Sequence, residues 1–288
     1  MVHITLPDGN IKTFENPPTG LDIAKSISEG FARNCIAFQK NGDVVDLGTR
    51  IKEDTAIRLI TTKDPEAIEI LRHSAAHVMA QAILHIYKGA HLTIGPAVEN
   101  GFYYDIDMAP VSEEDFPKIE AEMNKAIKAK LPFERTTVTK EEALSFYKDE
   151  PYKLEMINDL EDGTISFYKH GDFTDLCRGP HLPHTGFIKA VKLMKVSGAY
   201  WRADQSKAQL QRIYGTAFFD KKELKKYIRF LEEARKRNHR KIGTALELFS
   251  FHDDAPGMPF FHANGLVVWN ALLDYWREEH RGAGYVET

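Results

Sequence analysis

Cysteine is scarce in this sequence, and long apolar runs are missing from it. Only two cysteines, Cys35 and Cys177, occur among the 288 residues, so a disulfide is not predicted and a reducing compartment is expected. No apolar stretch reaches membrane-spanning length, and residues 1–5 lack the basic and then apolar pattern of a signal peptide. Neither sign of charge dominates, with 38 Lys and Arg against 42 Asp and Glu, which argues against a protein that coats nucleic acid. We therefore expect a cytoplasmic protein with no membrane and no DNA partner.

The first pair of chemistry-bearing residues is His73 and His77. Residues 65–87 carry an apolar stripe with helical spacing, and Gly89 follows as a stop signal, so this segment is predicted to be a helix. Residues four apart lie on the same helix face, and both imidazoles can reach one small object. A histidine pair with this spacing, taken alone, is usually helix surface or core.

The second pair, Cys177 and His181, strengthens the case for a site. Gly179 and Pro180 lie between its members, which excludes a helix and predicts a loop or strand end. Three imidazoles and one thiolate form a plausible tetrahedral zinc set, and they are equally suited to a metal-free cluster that activates a water. The residues alone leave both alternatives open.

Residues 1–62 are predicted to form a small domain of their own. Short strands are indicated near 2–6, 11–14, 35–39, 44–47 and 57–61. One helix is expected between them, because Thr19 and Asp22 resemble a capping box and Gly30 resembles a stop. This order is typical of a ubiquitin-like β-grasp.

Residues 63–219 are predicted to form a second, α+β domain. It begins with the histidine helix and continues with an aromatic strand that ends at Asp107. Capping boxes at Ser112 and Thr139 predict two more helices, and the β-rich segments around 133–138, 165–168, 187–196 and 210–214 predict strands. We expect the helices to pack against one antiparallel sheet.

The last part of the chain is predicted to be a linker and part of a third domain. Residues 220–242 form one basic helix with an apolar seam at Leu224, Tyr227, Ile228 and Leu231. Such a face is often merely solvated, and contact with phosphates is the functional alternative. Residues 243–288 include a helix at about 264–280 and are interpreted as the truncated start of a further domain, since so short a segment seldom forms a complete one.

Short motifs occur along the chain in a distinctive order. They are His73-Ser-Ala-Ala-His77, Asn100-Gly-Phe-Tyr-Tyr-Asp105, Asp175-Leu-Cys-Arg-Gly-Pro-His181, Gln211-Arg-Ile-Tyr-Gly215 and His239-Arg-Lys-Ile-Gly243. In this order the chain resembles the N-terminal part of bacterial threonyl-tRNA synthetases over essentially its whole length. The resemblance implies a TGS domain at 1–62, an editing domain at 63–219, and the start of a class II catalytic domain after the linker.

The resemblance also implies a function. A complete family member ligates threonine to its tRNA with ATP, magnesium and a zinc ion in its catalytic domain, and works as a homodimer. The second and third class II motifs, that zinc site and the anticodon-binding domain have no counterpart in this sequence. The implied activity of these 288 residues is therefore proofreading, namely hydrolysis of threonine tRNA mischarged with serine.

The site residues implied by the resemblance fall into three groups. The catalytic group is His73, His77, Lys153, Asp175, Cys177 and His181. Tyr104 is implied to lie near the terminal adenosine of the tRNA. His73, His77, Cys177 and His181 are the candidate zinc ligands, with metal-free activation of water as the preferred alternative.

Two rival hypotheses remain at this point. One is a non-catalytic module that docks tRNA and uses its Cys and His residues as a structural zinc site. The other is a free-standing editing protein. Deacylation of serine and threonine esters separates an enzyme from a docking module.

Overall fold

The computed structural model describes residues 1–287, which divide into one compact unit from Met1 to Leu224 and a second from Lys225 onward. None of the helices in this described part is both long and apolar enough to cross a lipid bilayer. The mixed α+β fold class predicted from the sequence is confirmed.

The β-grasp domain forms the N-terminal part of the first unit. Its elements are strands β1 (Val2–Thr5) and β2 (Ile11–Phe14), helices α1 (Gly20–Ile27) and α2 (Glu29–Ala32), and strands β3 (Cys35–Lys40), β4 (Asp43–Asp46) and β5 (Thr55–Thr61). The five strands make one sheet in the order β2-β1-β5-β3-β4, in which only the β1–β5 pair is parallel.

The predicted capping box begins helix α1, but the predicted stop at Gly30 is wrong. The Thr19 hydroxyl accepts from the Asp22 N–H at 3.1 Å, and the Asp22 carboxylate accepts from the Thr19 N–H at 2.9 Å. The helix ends at Ile27 because Ser28 is extended and its hydroxyl accepts from the Phe31 N–H. That hydrogen bond caps α2, which contains Gly30.

The β-grasp and the histidine helix share one apolar core. Helix α3 (Ala67–Ile86) is the predicted histidine helix, and its buried face includes Ile70 and Leu71. Ile36, Ala37 and Ile60 of the β-grasp are fully buried in the same cluster. Outside this core, the Arg58 guanidinium pairs with Asp64 and Glu66 just before α3. The β-grasp is therefore packed firmly against the start of the second domain.

The second domain contains two antiparallel sheets where one was predicted. The larger sheet has strands β6 (His91–Leu92), β7 (Ala97–Val98), β8 (Gly101–Asp107), β12 (Ala190–Tyr200) and β13 (Gln209–Phe218), and α3 packs on it together with α4 (Phe116–Ala129). The smaller sheet has the order β11-β10-β9, from β9 (Glu134–Thr137), β10 (Ser166–His170) and β11 (Phe173–Leu176). In the smaller sheet, β10 turns back at Gly171, which has a positive φ of 60°, and pairs with β11 on one side and with β9 on the other.

Two elements that carry site residues were not predicted from the sequence. One is strand β11, where polar residues such as Asp175 obscure the alternation. The other is helix α6 (Pro151–Asn158), which follows the correctly predicted α5 (Lys140–Phe146) and begins with a proline at its first turn. Lys153 lies on this helix.

The predicted single linker helix is two helices. Helix α7 (Lys221–Lys236) ends before Asn238, and α8 (His239–Ala245) begins after it. The break arises because the Asn238 side chain accepts from the N–H groups of Arg240 and Lys241, which caps a new helix instead of continuing the old one.

The second unit also contains a two-stranded sheet of β14 (Phe249–Ser250) and β15 (Phe260–Phe261). The helix expected near 264–280 is present as α9 (Ala263–Gly282).

Candidate functional site

Helix α3 and the loop after β11 bring the two predicted pairs together. His73, His77, Cys177 and His181 each offer one ligand atom, and these four atoms lie within 4.8 Å of one another. His73 Nε2 is 3.0 Å from Cys177 Sγ, and Sγ is 3.4 Å from His181 Nε2. The His181 ring lies 4.3 Å from the His77 ring, measured between centroids.

Backbone and hydroxyl groups fix the orientation of these side chains. Ser74 Oγ lies 3.0 Å from His181 Nδ1 and accepts from the Leu182 N–H, so α3 holds the loop directly. The Gly179 N–H donates to Cys177 Sγ at 3.2 Å. Gly179 has a φ of 74°, and a Cβ there would overlap the Tyr168 hydroxyl, so a larger residue would displace the loop.

A buried ion pair adjoins the cluster. Lys153 Nζ is 2.5 Å from Asp175 Oδ1, and both side chains are only 2% exposed. Tyr104 donates its phenol to Asp175 Oδ2 at 2.6 Å, and the Leu176 N–H donates to Oδ1. The same Oδ2 is 3.9 Å from His77 Nε2, which connects the pair to the imidazoles.

Burial decides the protonation state of the cluster in the absence of a metal. It lowers the pKa of His73, and it lowers the pKa of His77 and His181 much further, assisted by the other imidazoles nearby. Burial also raises the pKa of the Cys177 thiol to about 12. At neutral pH the cluster therefore contains three neutral imidazoles and a neutral thiol.

Three clefts reach the cluster from outside, and His181 lines one of them, of about 340 Å³, together with Asp46. His73 lines a cleft of about 450 Å³ together with Glu69, Gly179 and Pro180. Cys177 lines another of about 330 Å³. The reactive groups are thus largely buried, and each of the three clefts is lined by one of them.

All six residues predicted as catalytic lie in this one constellation. Tyr104, predicted to lie near an adenosine, is 1% exposed and contacts Asp175 and Lys153 instead of an open pocket wall. Its contact with a nucleotide stays a prediction. Ser74, Tyr168 and Asp46 were missed, and only Ser74, inside the histidine motif, had a sequence signal.

Comparisons with known families agree with this geometry. Residues 2–61 match the TGS domain, and residues 165–214 match the threonyl and alanyl tRNA synthetase second additional domain. The second match covers all of β10 and β11 and the Cys177 to His181 loop. The chain thus contains a TGS domain followed by a domain of the tRNA synthetase editing class.

Curated threonine--tRNA ligases are similar to this chain over its whole length. Over 288 residues the chain is 67% identical to a threonine--tRNA ligase of Desulforapulum autotrophicum and 63% identical to one of Desulfosudis oleivorans. It is 52% identical over 291 aligned positions to that of Clostridioides difficile. All of this chain is covered, but only 45% of the first two relatives and 46% of the third, so it spans less than half their length. The chain is homologous to threonine--tRNA ligases and corresponds to their N-terminal region.

Proposed function

We propose that this chain hydrolyses the ester that joins serine to the 3′ end of threonine tRNA. The observation that carries the proposal is the constellation of three imidazoles and a thiol beside the buried Lys153–Asp175 pair. It lies at the loop of a domain that matches the tRNA synthetase second additional family. A neutral imidazole can accept a proton from water, which is the requirement for general-base hydrolysis.

His73 is the proposed general base. It is the one imidazole among those of the cluster that lines the 450 Å³ cleft, and its ring donates to the backbone at Gly95. Nε2 then carries the electron pair, which faces the Cys177 thiol at 3.0 Å, so the thiol must turn away before Nε2 can accept a proton from water. As water attacks the ester carbonyl, Nε2 takes its proton; the carbonyl–ribose oxygen bond then breaks, and the proton passes to the ribose oxygen.

Lys153 and Asp175 have a supporting role in this mechanism. The carbonyl oxygen gains negative charge during the attack, and a cation in a dry site stabilises such charge strongly. Asp175 keeps Lys153 in place and compensates its charge before the substrate binds. Tyr104 orients Asp175 through its hydroxyl.

The four-residue cluster also suits zinc. Its donor set of three imidazoles and one thiolate is typical of zinc, and the separations of 3.0 and 3.4 Å between ligand atoms fit one small ion. The outer contacts of His73 and His181 resemble those that orient metal ligands. His73, His77, Cys177 and His181 would hold the ion; all four together would complete its tetrahedral shell, as in a structural site, and an ion that supplies an acidified water would keep only three of them.

Exclusion of threonine is the expected source of selectivity. One methyl group in a binding pocket is worth about 1–3 kcal/mol, or roughly 10- to 200-fold, which limits how well a synthetic site separates serine from threonine. A second site that cannot admit the extra methyl adds about 1–3 kcal/mol of overpacking cost against threonine. The factors by which the two sites discriminate between serine and threonine multiply.

The proposal is tested by deacylation of threonine tRNA charged with serine or with threonine. We expect rapid hydrolysis of the serine ester, slow hydrolysis of the threonine ester, and loss of activity in His73→Ala. His85→Ala is the matched control, because His85 lies on the same helix but contacts Glu122 and Asp172 instead of the cluster. Equal hydrolysis rates for both esters would contradict the proposed selectivity for serine. Full activity in His73→Ala would contradict the assignment of His73 as the general base.

The same variants test the docking alternative. A structural zinc site predicts that His73→Ala loses a stoichiometric zinc and melts far earlier than the parent chain, with no hydrolysis by either. The catalytic proposal predicts an unchanged melting temperature and a lost activity.

The role of a whole protein containing this chain follows from its relatives. We propose that such a protein ligates threonine to its tRNA in the cytoplasm as a homodimer, with ATP, magnesium and zinc bound by segments outside this sequence. Within the chain, the proposed boundaries are residues 1–62, 63–219, 220–242 and 243–288. A threonylation assay on the longer protein tests the ligase activity.

A further inference from the structure

A carboxylate from the β-grasp domain reaches the loop of the candidate site. Asp46 is the last residue of β4, and its Oδ1 accepts from the backbone N–H of His181 at 2.8 Å. Its Oδ2 accepts from the hydroxyl of Tyr168 at 2.5 Å. One side chain thus bridges two parts of the neighbouring domain that are far from it in the sequence.

Both hydrogen bonds of Asp46 act on the position of His181. The first fixes the backbone of the residue itself. The second fixes Tyr168, whose ring packs edge-on against the His181 imidazole at 4.5 Å between centroids. Tyr168 also lies against Gly179, where a Cβ would overlap its hydroxyl. Movement of Asp46 would therefore loosen the loop that carries Cys177 and His181.

We infer that Asp46 is a positioning residue of the hydrolytic site, so that the β-grasp domain forms part of the editing machinery. The inference rests on the proposed function. It gives the packing of the two domains a functional consequence, because a carboxylate held by one sheet sets the loop geometry in the other domain. A misplacement of about 1 Å in such a group can reduce a rate by 10²-fold.

The competing explanation is that Asp46 only attaches the β-grasp domain to the second domain. The β-grasp is already held by Ile36, Ala37 and Ile60 in the shared core and by the ion pairs of Arg58. Removing Asp46 leaves all of these interactions in place. Loss of Asp46 should therefore affect the loop and the reaction rate much more than the attachment of the domain.

The test compares Asp46→Ala with Asp43→Ala in the full chain. Asp43 lies on the same strand and is exposed, and its substitution removes the same charge without touching the loop. With serine-charged threonine tRNA, Asp46→Ala should lower kcat about 10- to 100-fold, with little change in KM or melting temperature. Asp43→Ala should behave as the parent.

A second variant separates positioning from general stability. Tyr168→Phe removes the hydroxyl that donates to Asp46 but keeps the ring beside His181. We expect a smaller loss of kcat, and the double variant should lose less than the product of the single losses, because both changes break one network. Parental kcat in Asp46→Ala, equal losses in Asp43→Ala, or multiplicative losses would each overturn the inference.

Alkylation of Cys177 gives a readout that needs no editing activity. Iodoacetamide should modify Cys177 faster in Asp46→Ala than in the parent or Asp43→Ala, because the loop is less ordered; Cys35, fully buried, provides an internal reference. An unchanged alkylation rate would overturn the inference. If the parent itself leaves the serine ester intact, the proposed function fails, and the alkylation rates still decide the role of Asp46.

Discussion

Replacing Lys153 with Met should strongly destabilise the first unit. The substitution keeps the length of the side chain but leaves the Asp175 carboxylate buried without its cation, and both side chains are 2% exposed. Breaking a buried pair by removing one partner costs about 3–5 kcal/mol. Asp175 keeps two hydrogen bonds, from Tyr104 and Leu176, so we expect a value near the lower end, about 3 kcal/mol.

Equilibrium unfolding in urea measures this cost. Trp201 is 5% exposed and donates to Glu155 on the same helix as Lys153, so its fluorescence reports on this unit. Lys169→Met is the matched control, because Lys169 is exposed on β10. It should change the free energy of unfolding by less than about 0.5 kcal/mol.

The double variant Lys153→Met with Asp175→Asn tests the reasoning itself. It removes both charges and keeps an acceptor for the Tyr104 hydroxyl, so it should recover most of the lost stability, since a neutral replacement of a buried pair is often tolerated. It should remain inactive in deacylation, because the cation proposed to stabilise the carbonyl oxygen is gone. A Lys153→Met chain as stable as Lys169→Met, or a double variant whose cost equals the sum of the single costs, would refute the argument.

Two further predictions concern pH and salt. Burial lowers the pKa of His170 to about 4 from an unfolded value near 6.5, so its contribution to stability is complete above pH 6.5 and is lost as the pH falls towards 4, by about 3 kcal/mol in all. His170→Leu should make the decline in the free energy of unfolding below pH 6.5 less steep than in the parent, although the buried His73, His77 and His181 still contribute to it. An equally steep decline in the variant would contradict the prediction. Helix α7 has no buried residue, so its basic side chains are available to tRNA phosphates. If they bind phosphates, the triple variant Lys225→Glu, Lys226→Glu and Arg229→Glu should have a shallower slope of log affinity against log salt concentration. The slope should fall by about one unit for each phosphate that the variant no longer neutralises. An unchanged slope would show that α7 does not bind the tRNA backbone.

Local signals in the sequence were enough to place many elements correctly. The capping boxes at Thr19 and Thr139 mark true helix starts, because the hydrogen bonds involved join residues only three apart. The apolar stripe of α3 and the Gly179-Pro180 interruption between Cys177 and His181 likewise depend on residues only a few positions apart. These features depend on neighbours along the chain, so the residue types alone predict them.

A competing cap or a pairing partner decided the structure where it differs from the local sequence signals. Gly30 resembles a helix stop, but the hydroxyl of Ser28 ends α1 earlier. The basic run after Asp220 resembles one helix, but Asn238 caps a second one. Strand β11 was hidden by its polar residues Thr174 and Asp175, of which Asp175 is buried in the folded chain. Its pairing with β10 is a property of the sheet rather than of the strand.

The sequence by itself determined which groups are available for chemistry, namely the two histidines of α3 and the Cys and His of the loop. Their residue types and spacing can be read from two short stretches of the chain. Only the tertiary structure decided how they act. Burial sets the direction of every pKa shift in the cluster, and the hydrogen bond between Asp46 and His181 joins residues 135 apart in the chain. Packing brings such distant groups within hydrogen-bonding distance and removes water from them, and neither effect leaves a signal in a short stretch of sequence.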